Sequence, residues 1–159
     1  MSSGARRGRG ESVAQADAPP GGWRPRSDRP FLLAVLSIEV DNRSGVEVDE
    51  RAAVELARRV LAAEGVADGE LGIAFVGPDE IRELKRDHLG IDEPTDALAF
   101  PIDGRDELPA GVPRQLGDVV LCPEVVGDDW RWPLTHGLLH LLGYDHGDEM
   151  EARERAHLG

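Results

Sequence analysis

His136-Gly-Leu-Leu-His140-Leu-Leu-Gly143-Tyr-Asp-His146 is the stretch of sequence that decides the centre of this fold. Its leucines predict a buried helix, and histidines four positions apart lie on one face of a helix, one turn from each other. We expect Gly143 to end that helix, because glycine readily adopts the left-handed conformation of a C-terminal cap. The chain then turns, and His146 can return to the same point.

These three histidines are candidate ligands of a metal ion. Three neutral imidazoles and one open position form the usual catalytic zinc site, whereas a structural site normally has a fourth protein ligand. No cysteine lies nearby in the sequence. The pattern therefore predicts one Zn²⁺ per chain on His136, His140 and His146, although imidazole also suits other transition metals. The alternative is that they are ordinary histidines of a leucine-rich core.

The residue at position 137 distinguishes this pattern from that of the zinc proteases. The spacing matches H-E-x-x-H-x-x-G-x-x-H, in which the glutamate after the first histidine is the general base. Gly137 stands at that position and cannot move a proton. A zinc-bound water still has its pKa lowered toward neutrality, so we expect hydrolysis, but not of the usual peptidase kind.

Four motifs follow one another along residues 37 to 158. They are Ser37-Ile-Glu-Val-Asp-Asn-Arg-Ser-Gly45, Asp92-Glu-Pro-Thr95-Asp96-Ala-Leu-Ala-Phe100-Pro101, Leu116-Gly117-Asp118-Val-Val-Leu-Cys122, and the histidine stretch with Glu149-Met150-Glu151. In this order they resemble the motifs of the YbeY family, bacterial metal-dependent endoribonucleases that mature ribosomal RNA. The resemblance implies a zinc-dependent endoribonuclease specific for single-stranded rRNA. It also implies a role in small-subunit 3′-end processing and ribosome quality control, with the ribosomal small subunit as partner and neither DNA nor membrane.

The remaining sequence reads as alternating strands and helices. Apolar patterns predict strands at 31–40, 71–76, 97–100 and 119–122. Helices are expected at 50–64 with Asp49 as N-cap, from 78 to about 88, from about 133 to 142, and from 148 onward. We expect Pro133 to force a late start of the histidine helix. This order predicts one α+β domain over 31–159, and the resemblance implies a small mixed four-stranded sheet packed against helices with the histidine helix at the centre.

Residues 1–30 have a different composition. They contain six arginines against three acidic side chains, with many Gly, Pro and Ser residues and no apolar periodicity. Such a segment cannot bury enough surface to offset its ordering entropy, so we predict a disordered basic extension. It either contacts RNA or has no role. A further hypothesis is that translation starts later, because family members usually begin just before the strand near Leu36.

Composition favours a cytoplasmic protein. A length of 159 residues fits one domain, and the single Cys122 cannot form an internal disulfide, which suits a reducing compartment. The longest apolar run, 31–36, is far shorter than a membrane span, and no signal-peptide pattern is present.

Net charge is unfavourable for RNA binding over most of the chain. Residues 31–159 carry 12 basic and 28 acidic side chains, a net charge of −16. Phosphate contacts from Lys and Arg supply most of the non-specific affinity for nucleic acids. Arg82, Lys85 and Arg86 share one helical turn and are the candidate RNA-binding residues. The alternative is that they form a solvated helix face.

Two positions depart from the family pattern. Many members carry an arginine, thought to act on the RNA phosphate, three residues before the aspartate that matches Asp92. Leu89 stands at that position here. The segment before His136 is also shorter than usual, which implies that the helix lacks N-terminal turns. The family's arginine role therefore cannot be transferred to this chain.

Asp96 and Asp145 are the candidate acid–base residues beside the metal ligands. Asp145 could instead orient an imidazole from behind, and Thr95 with Asp96 could equally form a turn. Two other functions stay open. A protease or other zinc hydrolase is disfavoured by Gly137, and a non-catalytic, zinc-stabilised ribosome-assembly factor is favoured by the net acidity and by Leu89.

Overall fold

Five strands form one mixed sheet in the computed structural model, which describes residues 14–15, 35–93, 95–145 and 147–158. In the order β1-β4-β5-β3-β2 across the sheet, β3 pairs in parallel with both β2 and β5, β4 runs antiparallel to β5, and β1 is parallel to β4. The mixed four-stranded sheet is thus confirmed in β2 to β5, with the two-residue β1 added at its edge. The strands are β1 (Ala14–Gln15), β2 (Leu36–Asn42), β3 (Gly69–Phe75), β4 (Ala97–Pro101) and β5 (Gln115–Leu121).

Five helices accompany the sheet. The four expected helices are present, and the single turn α3 was not predicted. The Asp49 side chain accepts a hydrogen bond from the Ala52 N–H at 3.0 Å, which caps α1. Within the described residues, each helix falls short of the length and apolar character needed to cross a membrane. The helices are α1 (Glu50–Ala63), α2 (Pro78–Leu89), α3 (Pro123–Val126), α4 (Arg131–Leu141) and α5 (Asp148–Leu158).

The two faces of the sheet carry separate apolar clusters, because successive strand residues point to opposite sides. Leu71, Ile73 and Phe75 of β3 pack with apolar residues of α1 and α4. The alternate residues Ala74 and Val76 pack with Ile81 and Leu84 of α2. The histidine helix α4 and the helix α2 therefore lie on opposite faces of the sheet.

The expected late start of the histidine helix is wrong. The helix α4 begins at Arg131, and Pro133 is its third residue. Proline is tolerated there because the first N–H groups of a helix have no intrahelical acceptor, so the missing donor costs no hydrogen bond. The helix consequently places a full turn before His136.

The predicted basic extension, residues 1–30, lies outside the described residues except for Ala14 and Gln15, which pair with Leu98 and Ala99 of β4. The first predicted strand starts later than expected, at Leu36, and its positions 31–34 are also outside the described residues. The expectation of disorder over 1–30 stays a prediction.

Candidate metal centre

His136 and His140 lie side by side in the centre of the molecule. Both belong to α4, in which residues 133–141 are all buried. Their side chains reach the same place, with ring centroids 4.8 Å apart and ring planes at 82°. His136 is 3% exposed and His140 is 1% exposed. The four-residue spacing thus produces a pair of adjacent imidazoles in a site shielded from water.

The Nδ1 atom of His136 contacts a carboxylate from another helix. The Glu154 side chain of α5 reaches this nitrogen with its Oε2, and Glu154 is itself buried. A carboxylate beside Nδ1 favours the tautomer that carries its proton on that atom. The other ring nitrogen, Nε2, then holds the lone pair that a metal ion binds.

The Nδ1 atom of His140 lies 3.1 Å from the backbone oxygen of Tyr144. The end of α4 provides this oxygen. Gly143 has a φ of +97°, and the N–H groups of Gly143 and Tyr144 donate to the oxygens of His140 and Leu139. This is the Schellman pattern of a helix C-terminus, with Gly143 at its left-handed position as expected. Because a carbonyl can only accept, Nδ1 is the protonated nitrogen and Nε2 again carries the lone pair.

The two histidines have the chemistry of zinc ligands. In metal sites a ligating histidine almost always donates its second N–H to a carboxylate or backbone carbonyl, and both arrangements occur here. His146, the third predicted ligand, lies outside the described residues. The described residues, His136 and His140 included, contain no group of three ligand-type side chains that could hold a metal ion. The pair His136 and His140 fits zinc, and the role of His146 stays a prediction.

Gly137 is required by packing as well as being unable to act as a base. A Cβ atom at this position would lie 2.8 Å from Cγ1 of Val119 on β5. Real Cβ atoms do not approach other atoms so closely, so any side chain would push α4 away from the sheet. The glutamate of the protease pattern cannot be accommodated here without displacing the helix that carries the histidines.

An indole ring covers one side of the pair. Trp132 stacks on His136 with centroids 4.9 Å apart and planes at 26°, and it remains 40% exposed. This stacking restricts rotation of the imidazole and leaves an aromatic face at the surface beside the site.

Glu64, at the end of α1, is the centre of a second polar network. Its side chain is 1% exposed and accepts hydrogen bonds from the Tyr144 hydroxyl and from His157, each at 2.7 Å. Burial alone would raise the pKa of Glu64, but the hydrogen bonds from His157 and Tyr144 and the charge of Arg153 outweigh it and lower the pKa. Burial, followed by the bond to this carboxylate, raises the pKa of Tyr144. The network holds the residue whose carbonyl orients His140.

Two adjoining clefts open at the C-terminal end of α4. The narrower, of about 90 Å³, is lined by His140 and by the β4–β5 loop, 102–114. The wider, of about 480 Å³, is lined by residues 142–145 and 147–149. Arg105 and Asp145 line both. A substrate group in the narrower cleft would therefore lie beside His140.

The candidate RNA-binding residues are not brought to these clefts. They lie on α2, on the other face of the sheet, and each is engaged by nearby carboxylates. Arg82 contacts Asp92 at 2.6 Å, and the Arg82 charge and hydrogen bond lower the pKa of Asp92. Lys85 contacts Glu93 at 3.2 Å and Arg86 contacts Asp87 at 3.6 Å. Their role in RNA binding stays a prediction.

The two candidate acid–base residues have different environments. Asp145 is exposed and lines both clefts beside His140. Asp96 begins the segment leading into β4, where its side chain accepts from the Thr95 hydroxyl at 3.4 Å and its carbonyl accepts from the Cys122 N–H at 3.0 Å. Among the described cleft residues Asp145 appears and Asp96 does not. Burial raises the pKa of the Cys122 thiol, consistent with a small apolar residue.

The sequence interpretation missed three residues of the site: Glu154, Tyr144 and Glu64. For Glu154 a signal existed, because it lies four residues after Met150 and both are buried on one face of α5. A carboxylate in a core-facing position indicates a buried partner. For Tyr144 and Glu64 no local pattern was available, since their contact joins residues 80 positions apart.

Comparisons with known proteins agree with the motifs. A family described as Endoribonuclease YbeY matches residues 38–158. A Salinispora tropica protein named Endoribonuclease YbeY is 40% identical over 139 residues, which cover 75% of this chain and 88% of that protein. A Beutenbergia cavernae protein of the same name is 43% identical over 135 residues, covering 75% and 89%. The solution structure of a Thermotoga maritima protein has a TM-score of 0.48 and 25% identity, covering 76% of this chain and 85% of that one.

Proposed function

The chain belongs to the endoribonuclease YbeY family, and on that premise we propose that it is a zinc-dependent endoribonuclease specific for single-stranded rRNA. Its cellular roles would be small-subunit rRNA 3′-end processing and ribosome quality control, with the ribosomal small subunit as its partner. Both roles come from the resemblance of the motifs and are part of the proposal.

One observation carries the metal part of the proposal. The Nδ1 atoms of His136 and His140 face Glu154 and the Tyr144 carbonyl, so Nε2 is the basic atom with which each imidazole would bind a metal ion. Buried core histidines need only one satisfied nitrogen. Two adjacent rings, both held at the same atom by acceptors, favour a ligand pair over two independent core residues.

His136, His140 and His146 would hold the ion, and Zn²⁺ bound there supplies a Lewis acid for a phosphodiester oxygen and a water of lowered pKa. The residues of the chain orient the site. Glu154 and the Tyr144 carbonyl fix the orientation of the two imidazole rings, and the stacking of Trp132 restricts rotation of the His136 ring. Asp145 lines the same narrower cleft as His140, and it is our candidate for the side chain that would accept a proton from an attacking water.

A non-catalytic ribosome-assembly factor is the second candidate. Leu89 is 38% exposed at the position where many family members carry arginine, and an apolar side chain cannot contact a phosphate there. This candidate predicts zinc binding and ribosome association without cleavage, so the same experiment decides between the two.

The proposal is tested with a circular single-stranded RNA of small-subunit 3′ sequence, because only an endonuclease can open a circle. The full chain, as native protein and as His140→Ala, is purified by one route and incubated with the circle and with a matched duplex. We expect the native protein to open the single-stranded circle and spare the duplex, and His140→Ala to lose at least a hundredfold in rate, in the range seen when a catalytic group is removed.

His88→Ala is the matched control, because His88 lies on α2 on the other face of the sheet, where it packs against Phe100. It should cleave like the native protein. Equal background cleavage by all three proteins, with zinc bound to the native chain, would reject the endonuclease and favour the assembly factor.

A further inference from the structure

Arg105 is the cation of this chain that lies beside the histidine pair. It belongs to the β4–β5 loop and lines both clefts, and the narrower cleft is shared with His140. Among the described residues lining the two clefts, Arg105 is the one lysine or arginine. Among the residues described as lining the narrower cleft, Arg105 is therefore the cation that a negatively charged group beside His140 would meet.

The backbone just before Arg105 is held by two hydrogen bonds. The Arg114 side chain donates to the Gly104 carbonyl at 2.6 Å, and the Asp103 side chain accepts from the Gln115 N–H at 2.7 Å. The loop is therefore attached to the start of β5. A cation on such a loop loses little conformational freedom when it binds a ligand, which increases the affinity gained per contact.

Glu64 fixes the guanidinium itself. The Nη1 atom donates to the Glu64 carbonyl at 3.1 Å and the Nη2 atom donates to Glu64 Oε1 at 3.3 Å. A guanidinium has five N–H donors in a planar fork, so two bonds leave three for a ligand. The side chain remains 45% exposed while Glu64 is 1% exposed. The outer edge of the fork is thus presented to the clefts.

Glu64 does not cancel the positive charge at this place. Arg153 lies 3.8 Å from the other oxygen of the same carboxylate, so two arginines share one negative charge. On the far face of the sheet, Arg82 contacts Asp92 at 2.6 Å, and Arg86 lies 4.0 Å from the same aspartate and 3.6 Å from Asp87. Arg105 differs from these arginines in its place, because it lines the cleft that contains His140.

The described acidic residues of the cleft walls lie around Arg105. Asp106 and Asp145 line the narrower cleft, and Asp145, Asp148 and Glu149 line the wider one. Carboxylates repel a phosphodiester, so these walls confine its approach to the side where Arg105 lies. One fixed cation among carboxylates favours contact with a single phosphate over contact with many phosphates along the strand.

We propose that Arg105 binds the RNA phosphate next to the histidine centre and takes the phosphate-contacting role that Leu89 cannot perform. This rests on the proposed function, since it names the residue that holds the substrate of the same site. Arg105 acts as a substrate-binding residue, and Glu64 acts through it as a positioning residue.

The test measures binding of a labelled single-stranded rRNA oligonucleotide with phosphorothioate linkages, which slow cleavage and keep the charge. Affinity is measured against salt for the native full chain, Arg105→Ala and Arg105→Lys. We expect Arg105→Ala to bind about ten- to a hundredfold more weakly, the loss typical of a charge-assisted hydrogen bond. Its slope of log affinity against log salt should fall in magnitude by about 0.7, and Arg105→Lys should retain the slope.

The control is Arg51→Ala, an exposed arginine 13 residues before Glu64 on α1, hence about 20 Å away along the helix axis. It should match the native protein in affinity and slope. In cleavage assays Arg105→Ala should raise KM more than it lowers kcat, with zinc content unchanged. If the alanine variant does not fold, Arg105→Gln replaces it, because an amide can still donate to the Glu64 carbonyl.

If folded Arg105→Ala bound the RNA with native affinity and native salt dependence, the proposal would be overturned. It would also be overturned if Arg82→Ala, and not Arg105→Ala, reduced the salt dependence of binding. The binding results test the phosphate site, and the cleavage results test the proposed endonuclease activity separately. Arg105-dependent binding without cleavage would support the phosphate site and reject the endonuclease. Cleavage with Arg105-independent binding would do the reverse, and a native chain that does not bind RNA contradicts both.

Discussion

Glu154 is a carboxylate on the buried face of α5, beside the histidine pair. It occupies a core-facing position on α5, four residues after Met150, where an apolar side chain would be ordinary. Its carboxylate contacts Nδ1 of His136, and burying it is tolerable because that nitrogen carries a proton. The residue therefore orients a ligand of the proposed zinc ion from behind.

Replacing Glu154 with glutamine should weaken zinc binding more than it alters the fold. The amide keeps the size of the side chain but loses the charge that holds the Nδ1 proton of His136. We expect about a ten- to hundredfold loss of zinc affinity, the usual effect of losing such a partner, measured by competition with a chromogenic chelator.

Glu151→Gln on the exposed side of the same helix is the control and should bind zinc like the native protein. If Glu154→Gln and Glu151→Gln had equal zinc affinities, Glu154 would not support the metal site.

Gly137→Ala should destabilise the protein although alanine is the better helix former. The helix propensity gain is about 1 kcal/mol, but the new Cβ would lie 2.8 Å from Cγ1 of the fully buried, β-branched Val119. Overpacking costs about 1–3 kcal/mol, so we expect a net loss of about 1 kcal/mol in the free energy of unfolding. Urea denaturation measures it.

In the Val119→Ala background the same Gly137→Ala change should become neutral or stabilising, because the methyl groups that it meets are gone. A stabilising effect of Gly137→Ala in the native background would contradict the close approach of α4 to the sheet.

At the residue scale, the sequence predicts those features of the site that depend on local helix geometry. The spacing of His136 and His140 gives their common face, and Gly143 gives the end of the helix. The partners on their Nδ1 atoms come from a different helix and from a turn, so their assignment requires the packed structure. The departure from the family pattern at Leu89 stays a prediction. The neighbourhood of Arg105 could not be predicted, because Arg105 and Glu64 are 41 positions apart.

At the element scale, the end of α1, the turn after α4 and the helix α5 are joined through one buried carboxylate. Glu64 receives Tyr144 from the turn and His157 from α5. These bonds are made to the charged form, which explains why the pKa of Glu64 is lowered despite its burial. The turn that carries Tyr144 is thereby fixed to two helices.

This network should make stability depend on acid pH in a defined direction. Because the folded pKa of Glu64 is lowered, its stabilisation is complete above the ordinary value of 4.5 and is lost as the pH falls through the folded pKa. Glu64→Gln should cost about 1–3 kcal/mol at neutral pH, and the difference from the native protein should shrink in acid. Urea unfolding of both proteins, at neutral pH and in acid, measures this difference in the free energy of unfolding.

Asp68→Asn, close in sequence but outside this network, is the control and should not change the pH profile. A cost of Glu64→Gln that stays the same from neutral pH into acid would show that the Glu64 charge does not stabilise the fold.

At this scale the strands and helices were largely predictable, because their apolar periodicity is local. Two points failed for physical reasons. Pro133 was treated as a barrier to α4, but the first helical turn tolerates it, and the single turn α3 is too short to produce a periodic signal. The assignment of α2 and α4 to opposite faces depends on strand order, which no local pattern contains.

At the scale of the whole molecule, acidity and RNA binding are compatible if contact with the substrate is small. Residues 31–159 carry a net charge of −16, which repels a polyanion over most of the surface. His140 and Arg105 lie at the C-terminal end of α4, where the clefts open, and the exposed Trp132 lies near its N-terminal end, stacked on His136. Such a molecule would favour an accessible single strand, whose phosphates can approach one at a time, over a duplex.

On the proposed function, cleavage of RNA depends on a metal ion held by the histidine centre. The most direct measurement titrates zinc into chelator-treated full chain while following the opening of the single-stranded RNA circle. We predict negligible cleavage without metal, a rate that rises in proportion to added zinc, and a plateau at one equivalent per chain, with no recovery for His140→Ala. Undiminished cleavage by metal-free protein, or equal recovery by His140→Ala, would contradict the account.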